Sequence, residues 1–220
     1  GRHRPETGKP HLHGDWQMLI GISLGPGDPE LLTIKAASAL KICSRVFVPG
    51  EMAAELARPY CRPEILQFPM TVDKEELERI WSENARTVAE ASASGCAGFA
   101  CIGDVNTFST FSHLERTIRQ SHPEIQIQTI PGVGVVPALA SRLAAPLDRS
   151  FMVSDGSPVD TVIRIKATQP RKLAEELQAA GYDEFVLGRM LCTEQEKIIR
   201  GEMPERSDYF SVLLARRRKG

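Results

Sequence analysis

Residues 19–32 read LIGISLGPGDPELL, an apolar run that breaks at a glycine-containing turn and continues into a helical pattern. The run Met18–Leu24 predicts a buried strand, and Glu30–Leu40 predicts a helix because its apolar residues recur at helical spacing. Asp28 before Pro29 predicts an N-cap followed by proline at the first helical position. The segment is therefore expected to form a strand–turn–helix unit of an α/β fold.

The turn itself, Gly25 to Pro29, predicts exposed backbone at the carboxyl end of a strand. Gly25 and Gly27 allow positive φ and place no side chain between the backbone and a ligand, and open α/β sheets bind ligands at this edge. The glycine spacing fits neither the dinucleotide fingerprint G-x-G-x-x-G nor a P-loop. A tight connection without a ligand has the same pattern, so the turn alone leaves both interpretations open.

Two further turns follow predicted strands in the same way. Ile102-Gly103-Asp104 follows the apolar run from Gly98, and Pro131-Gly132-Val133-Gly134 follows the strand Ile125–Ile130. Since the carboxyl ends of parallel strands meet at one edge of a sheet, the three turns are expected to lie side by side and to line a ligand site with backbone groups. Three ordinary connections remain the alternative, because glycine is common in such turns.

Strands and helices alternate up to about residue 130, which predicts a parallel sheet. After Pro146 four strands are expected close together, at Ser150–Val153, Thr161–Ile165, Glu184–Leu187 and Tyr209–Ala215. One helix, Gln169–Ala180, lies among them. We therefore predict a disordered leader over 1–16, an N-terminal α/β domain over 17–132 and a C-terminal mixed α/β domain over 133–220. The three histidines of the leader leave metal binding as its alternative role.

Composition narrows the classes of partner. The chain has 220 residues with a formal net charge of −1, so neither nucleic acid nor an anionic membrane is expected to attract it. No apolar run approaches the ~20 residues of a membrane span. The five cysteines are odd in number and include no C-x-x-C pair, which favours a reducing, cytoplasmic setting.

Common catalytic motifs are missing from the sequence. It contains no nucleophile elbow, no H-E-x-x-H and no EF-hand loop, and only His113 and His122 fall within the predicted domains. His113 lies on the predicted helix after Gly103-Asp104, where it faces either a cleft or, as a simpler explanation, the surface or core.

Four segments, in order, resemble the tetrapyrrole (class III) S-adenosylmethionine-dependent methyltransferases. They read GPGDPELLTIKAASAL, CIGDVNTFSTFSHL, IPGVGVVPALASRLAAPL and EQEKIIRG followed by YFSVLLAR, and together they span most of residues 19–216. Within that family, S-T-F after the G-D turn and Phe68-Pro69-Met70 are most similar to the C-20 methyltransferases of corrin synthesis. Those enzymes act on precorrin-2 or on cobalt-factor II.

The resemblance implies two α/β domains, S-adenosylmethionine (SAM) in the cleft between them, a tetrapyrrole substrate and a homodimer. The positions that it implies for cofactor contact are Pro26, Ile102, Gly103, Asp104, Thr107, Gly134, Val135, Ile165 and Leu191. Three residues depart from the family pattern. Val105 replaces a common proline, Phe108 replaces a frequent tyrosine, and Gly134 lacks the usual hydroxyl, so Gly134 would contact the cofactor through its backbone only.

The resemblance also implies an in-line methyl transfer followed or accompanied by loss of the C-20 proton. Asp104 is the carboxylate best placed by motif to stabilise the sulfonium, anchor the cofactor or accept the proton, and capping the next helix is compatible with each role. Asp28 and His113 are the positions expected to face the substrate. Arg116, Arg142 and Lys166 are candidate partners for its carboxylates.

Two segments look short for the family, residues 49–51 and residues 155–160, and a whole helix is expected at the second. Either the substrate side of the cleft is trimmed, or mobile loops that close over the tetrapyrrole are absent from the sequence, which is the explanation we favour. Methylation at another tetrapyrrole position and a non-catalytic SAM- or tetrapyrrole-binding module remain as alternatives.

Overall fold

A computed structural model describes residues 17–68 and 73–217. The predicted leader, together with Pro69 and Met70 of the segment that resembles the C-20 enzymes, lies outside the described residues. Contacts between Cα atoms divide the chain into two compact units, one ending at Asp148 and one beginning at Arg149. We call them unit 1 and unit 2.

Unit 1 contains five strands and five helices among its described residues. The strands are β1 (Met18–Ser23), β2 (Arg45–Val48), β3 (Pro63–Ile65), β4 (Cys96–Cys101) and β5 (Gln126–Ile130); the helices are α1 (Ile34–Ile42), α2 (Glu51–Ala57), α3 (Lys74–Ala93), α4 (Thr110–Ser121) and α5 (Val135–Arg142). The strands pair in parallel in the order β3-β2-β4-β1-β5. This confirms the predicted parallel sheet and places β5 at its edge.

The core lies on both faces of this sheet. Every residue of β1 is buried, and neighbouring side chains alternate between the faces. Ile20 and Ile22 pack with α1 and α2, whereas Leu19 packs with Phe99 of β4 and with residues of α3 and α4. The central strands are therefore apolar throughout, as expected for a sheet that is covered on both sides.

The predicted helix Glu30–Leu40 is wrong as a single element. Asp28 accepts a hydrogen bond from the Glu30 N–H at 3.0 Å and so caps a short 3₁₀ turn, Pro29–Leu31. Thr33 then caps α1 through its own hydroxyl, which accepts from the Ala36 N–H at 3.1 Å. The second cap competes with continuation of the first turn, so the chain bends before the helix proper.

Unit 2 is an antiparallel sheet with one helix among its described residues. Its strands β6 (Thr161–Ile165), β7 (Glu184–Arg189), β8 (Lys197–Arg200) and β9 (Ser211–Arg216) pair in the order β6-β9-β7-β8, and the helix is α6 (Pro170–Ala179). Leu177 of α6 packs with Leu187 and Leu213 of the sheet.

The predicted strand Ser150–Val153 is wrong, because these residues are exposed and form no sheet pairing. Residues 155–160 contain no helix either. The two compact units divide after Asp148, and the domain boundary expected after Gly132 stays a prediction. Gly132 is hydrogen bonded to Asp104 and α5 continues directly from that turn, so α5 groups with unit 1. No helix in the described part of the chain has the length and apolarity needed to cross a membrane.

Candidate active site

The first two glycine turns are joined by their backbones. Gly25 donates to the Gly103 carbonyl at 3.3 Å, and Gly103 donates to the Gly25 carbonyl at 2.7 Å, which forms an antiparallel bridge beyond the parallel strands β1 and β4. Both glycines have positive φ, +75° and +78°. A Cβ atom on Gly25 would also lie 2.9 Å from the Leu31 carbonyl oxygen. Glycine is required at position 25 for both conformational and steric reasons.

Asp104 joins the second turn to the third. Its Oδ2 accepts a hydrogen bond from the Gly132 N–H at 3.0 Å, and its Oδ1 accepts from the Asn106 N–H at 3.0 Å and from the Thr107 hydroxyl at 3.1 Å. Hydrogen bonds to an ionised carboxylate are stronger than those between neutral groups. Asp104 therefore holds the turn after β5 against the turn after β4.

Ser23, at the end of β1, is a residue that the sequence analysis missed. Its side chain is fully buried, donates to the Ile130 carbonyl at 2.7 Å and accepts from the Val105 N–H at 2.8 Å. One hydroxyl thus connects the ends of three strands. A single serine inside the apolar run Met18–Leu24, two residues before the first glycine of the turn, is the sequence signal that points to such a role.

We call these connected segments, residues 23–28, 102–107 and 131–135, the turn cluster. Its contacts confirm the expectation that the three turns meet at the carboxyl edge of the parallel sheet. A Cβ atom added to Gly27 or to Gly103 would have no heavy atom within 4 Å. The backbone at these two positions therefore borders open space, as a ligand that approaches main-chain groups requires.

The other predicted residues of unit 1 occupy different parts of this edge. Pro26 and Asp28 are half-buried in the first turn, and the Thr107 hydroxyl is already engaged with Asp104. Gly134 is the N-terminal cap of α5 without a side-chain hydrogen bond, and Val135, the first residue of that helix, is 69% exposed.

His113 is placed on α4 outside the turn cluster. Its ring lies 5.3 Å from that of Trp81 on α3, measured between centroids, and its side chain is exposed. The substrate contact expected of His113 stays a prediction.

Ile102 lines a cavity of about 330 Å³ in unit 1. Met52 and Phe108 lie at the same cavity, and each is 67% exposed. Phe108 has φ +49°, a left-handed conformation that is costly for an aromatic residue. Its ring is therefore held at this edge by backbone geometry and not by burial.

Ile165 and Leu191, predicted separately in unit 2, line one groove of about 460 Å³, which we call the unit 2 groove. Lys166 also lines it, with its Nζ 5.1 Å from the centre of the Tyr209 ring. Backbone strain is concentrated here, with φ of +56° at Lys166, +47° at Met190 and +64° at Cys192. Such strain is typical of binding sites, where the surrounding structure maintains it.

An ion pair joins the two residues that directly precede Met190 and Tyr209 of the unit 2 groove. Arg189, the residue before Met190, contacts Asp208 Oδ2 at 2.8 Å through its Nε and again through its Nη2. The Ser211 hydroxyl donates to the other carboxylate oxygen at 3.1 Å. The hydrogen bond from Arg189 lowers the pKa of Asp208 from its usual value of 3.8. Asp208 is consequently ionised near neutral pH. Its contacts with Arg189 and Ser211 connect β7 to the segment before β9.

Comparisons with known proteins identify the family of this chain. The family "Tetrapyrrole (Corrin/Porphyrin) Methylases" matches residues 18–206. A probable cobalt-precorrin-2 C(20)-methyltransferase of Methanocaldococcus jannaschii is 28% identical over 229 aligned positions, with 91% of this chain and 96% of the relative covered. The cobalt-precorrin-2 C(20)-methyltransferase of Salmonella typhimurium is 33% identical over 140 residues, with 59% of this chain and 58% of the relative covered.

Solved structures show the same fold. A putative cobalamin synthesis related protein (CobF) from Corynebacterium diphtheriae has a TM-score of 0.51 at 16% identity and covers 90% of this chain and 98% of its own. A uroporphyrin-III-C-methyltransferase from Thermus thermophilus has a TM-score of 0.50 at 19% identity and covers 91% of this chain and 92% of its own. With the family match extending over most of its length, this chain belongs to the tetrapyrrole (corrin/porphyrin) methylases.

Proposed function

We propose that the protein transfers a methyl group from SAM to the C-20 meso carbon of precorrin-2 or cobalt-factor II in cobalamin biosynthesis. The observation that carries this assignment is similarity over nearly the whole of both chains to a relative named as a probable cobalt-precorrin-2 C(20)-methyltransferase. A second relative with the same activity in its name and a precorrin-2 C(20)-methyltransferase from Sinorhizobium support it.

The residues present fit SAM, an amphipathic molecule with an apolar base and a charged amino-acid end. Open backbone at Gly27 and Gly103 suits close approach by a polar ligand. The unit 2 groove is lined mainly by apolar side chains and is large enough for a nucleoside. We assign cofactor contacts in unit 1 to Pro26, Ile102, Gly103, Asp104, Thr107, Gly134 and Val135, and in unit 2 to Ile165 and Leu191.

When bound, SAM supplies an electrophilic methyl group on a sulfonium. The chain's contribution is then to hold that methyl and a nucleophilic carbon in attack geometry and to exclude water. Positioning of this kind supplies up to ~7–11 kcal/mol of barrier reduction. The hydrogen bonds of Ser23 with Ile130 and Val105, and that of Asp104 with Gly132, keep the turn cluster in one conformation. The entropy cost of ordering these turns is therefore incurred when the protein folds and not when the cofactor binds.

We assign Asp104 an anchoring role at the catalytic edge. Both of its oxygens already accept hydrogen bonds, three in all, so taking a proton would disrupt the contact with Gly132 or with Thr107. Asp28 is the carboxylate of the turn cluster better suited to face the substrate and accept the C-20 proton. Its Oδ1 accepts from the Glu30 N–H, and among the described residues its Oδ2 has no hydrogen-bond donor.

We further propose a cytoplasmic homodimer. The family resemblance supports the dimer, and the described cysteines, all of them free thiols, support a reducing compartment. Light scattering coupled to size-exclusion chromatography gives the mass in solution, and a monomeric mass at all working concentrations would remove the dimer from the proposal.

The experiment that tests the function is an anaerobic methyl-transfer assay with SAM, in which precorrin-2 and cobalt-factor II are offered separately. Product mass gives the number of methyl groups, and NMR locates the methylated carbon. One methyl at C-20 is the expected result and also identifies the physiological substrate. A methyl at another carbon would change the proposed position of methylation. Binding of S-adenosylhomocysteine (SAH) without any methyl transfer would indicate a non-catalytic binding module.

A further inference from the structure

Two cysteines far apart in sequence lie side by side at the amino edge of the parallel sheet. Cys43 follows the last residue of α1, and Cys96 is the first residue of β4. Their Sγ atoms are 3.5 Å apart. The backbones are adjacent as well, because the Ser44 N–H donates to the Cys96 carbonyl at 2.8 Å and the Ser44 hydroxyl donates to the same oxygen at 2.9 Å.

A glycine makes room for this pair. A Cβ atom added to Gly98 would lie 3.2 Å from Cys43 Sγ and 3.0 Å from Ile22 Cδ1. Any side chain at position 98 would therefore press on the thiol from the sheet side. Cys43 and Cys96 are both partly buried against the core on this face, so their sulfur atoms are confined to a small region.

We propose that Cys43 and Cys96 are an oxidisable pair, which a low-molecular-weight disulfide converts to an intramolecular disulfide bond. An S–S bond of about 2.05 Å requires the two sulfur atoms to approach by about 1.5 Å. We expect rotation of the two side chains to provide this movement, because the hydrogen bond between Ser44 and Cys96 keeps the backbones adjacent.

The reaction is thiol–disulfide exchange in two steps. The Cys96 thiolate attacks one sulfur of the small disulfide, forms a mixed disulfide and releases one small thiolate. The Cys43 sulfur, as its proton leaves, attacks Cys96 Sγ, forms the internal bond and releases the second. Two electrons pass to the small disulfide, which is reduced to two thiols, and the two protein thiols lose their protons.

The order of attack follows from the hydrogen bond between the thiols. The hydrogen bond between the two thiols lowers the pKa of Cys96 and raises that of Cys43. Cys96 is therefore the thiol that ionises first and begins the exchange.

The other cysteines differ from this pair in their contacts. Cys61 Sγ donates to the Ala57 carbonyl at 3.6 Å. Cys101 is buried, and burial raises its pKa to about 12. Cys192 is exposed in unit 2. We expect Cys192 to form a mixed disulfide, and we expect the internal bond to form at Cys43 and Cys96 alone.

The pair lies at the other end of β4 from the turn cluster. The strand has six residues, so at about 3.3 Å per residue the two sites are separated by nearly the full strand length. Disulfide formation is thus independent of the proposed methyl transfer, and it is tested without any substrate.

The test uses the full chain with Cys192→Ser, which removes the exposed thiol. The protein is equilibrated with oxidised glutathione under native conditions, and the remaining thiols are alkylated after unfolding. Before alkylation, we expect the intact mass to fall by two hydrogens, without a glutathione adduct. After alkylation, we expect a proteolytic digest to contain one cross-linked peptide that joins Cys43 and Cys96. Dithiothreitol should restore both thiols.

Matched variants distinguish a specific pair from general oxidation. Adding Cys61→Ser should leave the cross-link unchanged, whereas adding Cys43→Ser should abolish it and leave a glutathione adduct on Cys96. The digest of the Cys192→Ser protein is decisive even if a further variant fails to fold. Alkylation of both Cys43 and Cys96 after treatment, or a cross-link that includes Cys61, would overturn the proposal.

Discussion

The backbone of Gly132 lies so close to Ser23 that a Cβ atom added to the glycine would be 2.5 Å from the serine Cβ. The two residues belong to the third and first turns of the turn cluster, and the Gly132 N–H is directed at Asp104 in the second. The site is therefore most sensitive to added volume at this one contact.

Replacing Gly132 with alanine should move the third turn away from Ser23. We expect a loss of about 1–3 kcal/mol in the free energy of unfolding, as for other overpacked positions, together with weaker SAH binding. Urea unfolding and calorimetric titration measure the two effects. For stability, Gly134→Ala is the matched control, since its Cβ would lie 3.7 Å from the Asp104 Cβ, an ordinary contact. An equal loss of stability at both positions would contradict the packing explanation.

Ser23→Ala should destabilise the protein by about 1–3 kcal/mol, because the buried Val105 N–H loses its hydrogen-bond partner. Thermal unfolding is the measurement. Ser92→Ala is the control, because Ser92 is also fully buried but donates only to the Val88 carbonyl one helical turn earlier. Removing the Ser92 hydroxyl leaves no buried N–H without its acceptor. The prediction fails if the Tm of the two variants falls by the same amount.

Asp104→Asn should weaken the link between the second and third turns, since the amide has one acceptor oxygen in place of two. We expect about 1–3 kcal/mol of lost stability and reduced SAH affinity, with the pH profile of turnover unchanged. Asp28→Asn should show the opposite pattern, with stability and SAH affinity retained and turnover reduced. If the pH profile of turnover changed for Asp104→Asn alone, Asp104 and not Asp28 would be the residue that accepts the proton.

Gly188→Ala tests indirectly whether Leu191 contributes to cofactor binding. The added Cβ would lie 2.8 Å from Leu191 Cδ2, the far end of a flexible side chain, so Leu191 is expected to rotate within the unit 2 groove while the fold is retained. SAH affinity should fall with little change in Tm, and Leu191→Ala should reproduce the loss. Unchanged affinity in both variants would remove Leu191 from the cofactor site.

The ion pair between Arg189 and Asp208 predicts a pH dependence. The pKa of Asp208 is lower in the folded protein than its usual 3.8, so its contribution to stability is complete above that value and is lost as the pH falls through the folded pKa. Near neutral pH, Asp208→Asn should be less stable than the parent protein in urea unfolding. The difference should shrink below pH 3.8, and a difference independent of pH would exclude the ion pair as its cause.

The sequence predicted most of unit 1 because its signals are local. Apolar runs ending in glycine give strands and turns, and the parallel order then brings Gly25 and Gly103 together. The features that were not predicted depend on competition between two helix caps or on contacts between residues far apart in the sequence. The cap at Thr33 divides a segment whose apolar spacing suits one helix, and the role of Ser23 depends on Ile130, 107 residues away.

Unit 2 was harder to predict for a related reason. Ser150–Val153 contains the apolar residues of a strand, but β-propensity depends on a face to pack against, and Met152 is 74% exposed. Ile165 and Leu191 were identified through family resemblance alone. Their presence in the same groove follows from antiparallel pairing across β9, which no short sequence pattern encodes.

The strand order has a consequence for how the protein is made. β4 lies between β1 and β2, although it is synthesised after both. Until Cys101 has been translated, β3 is the one neighbour in the sheet order with which β2 can pair. A two-stranded pairing is at best marginally stable in water. During this time β1 and β2 lack the strand that lies between them in the folded sheet. The N-terminal half is therefore expected to depend on chaperones for longest during this interval, and to gain protease resistance abruptly once β4 inserts.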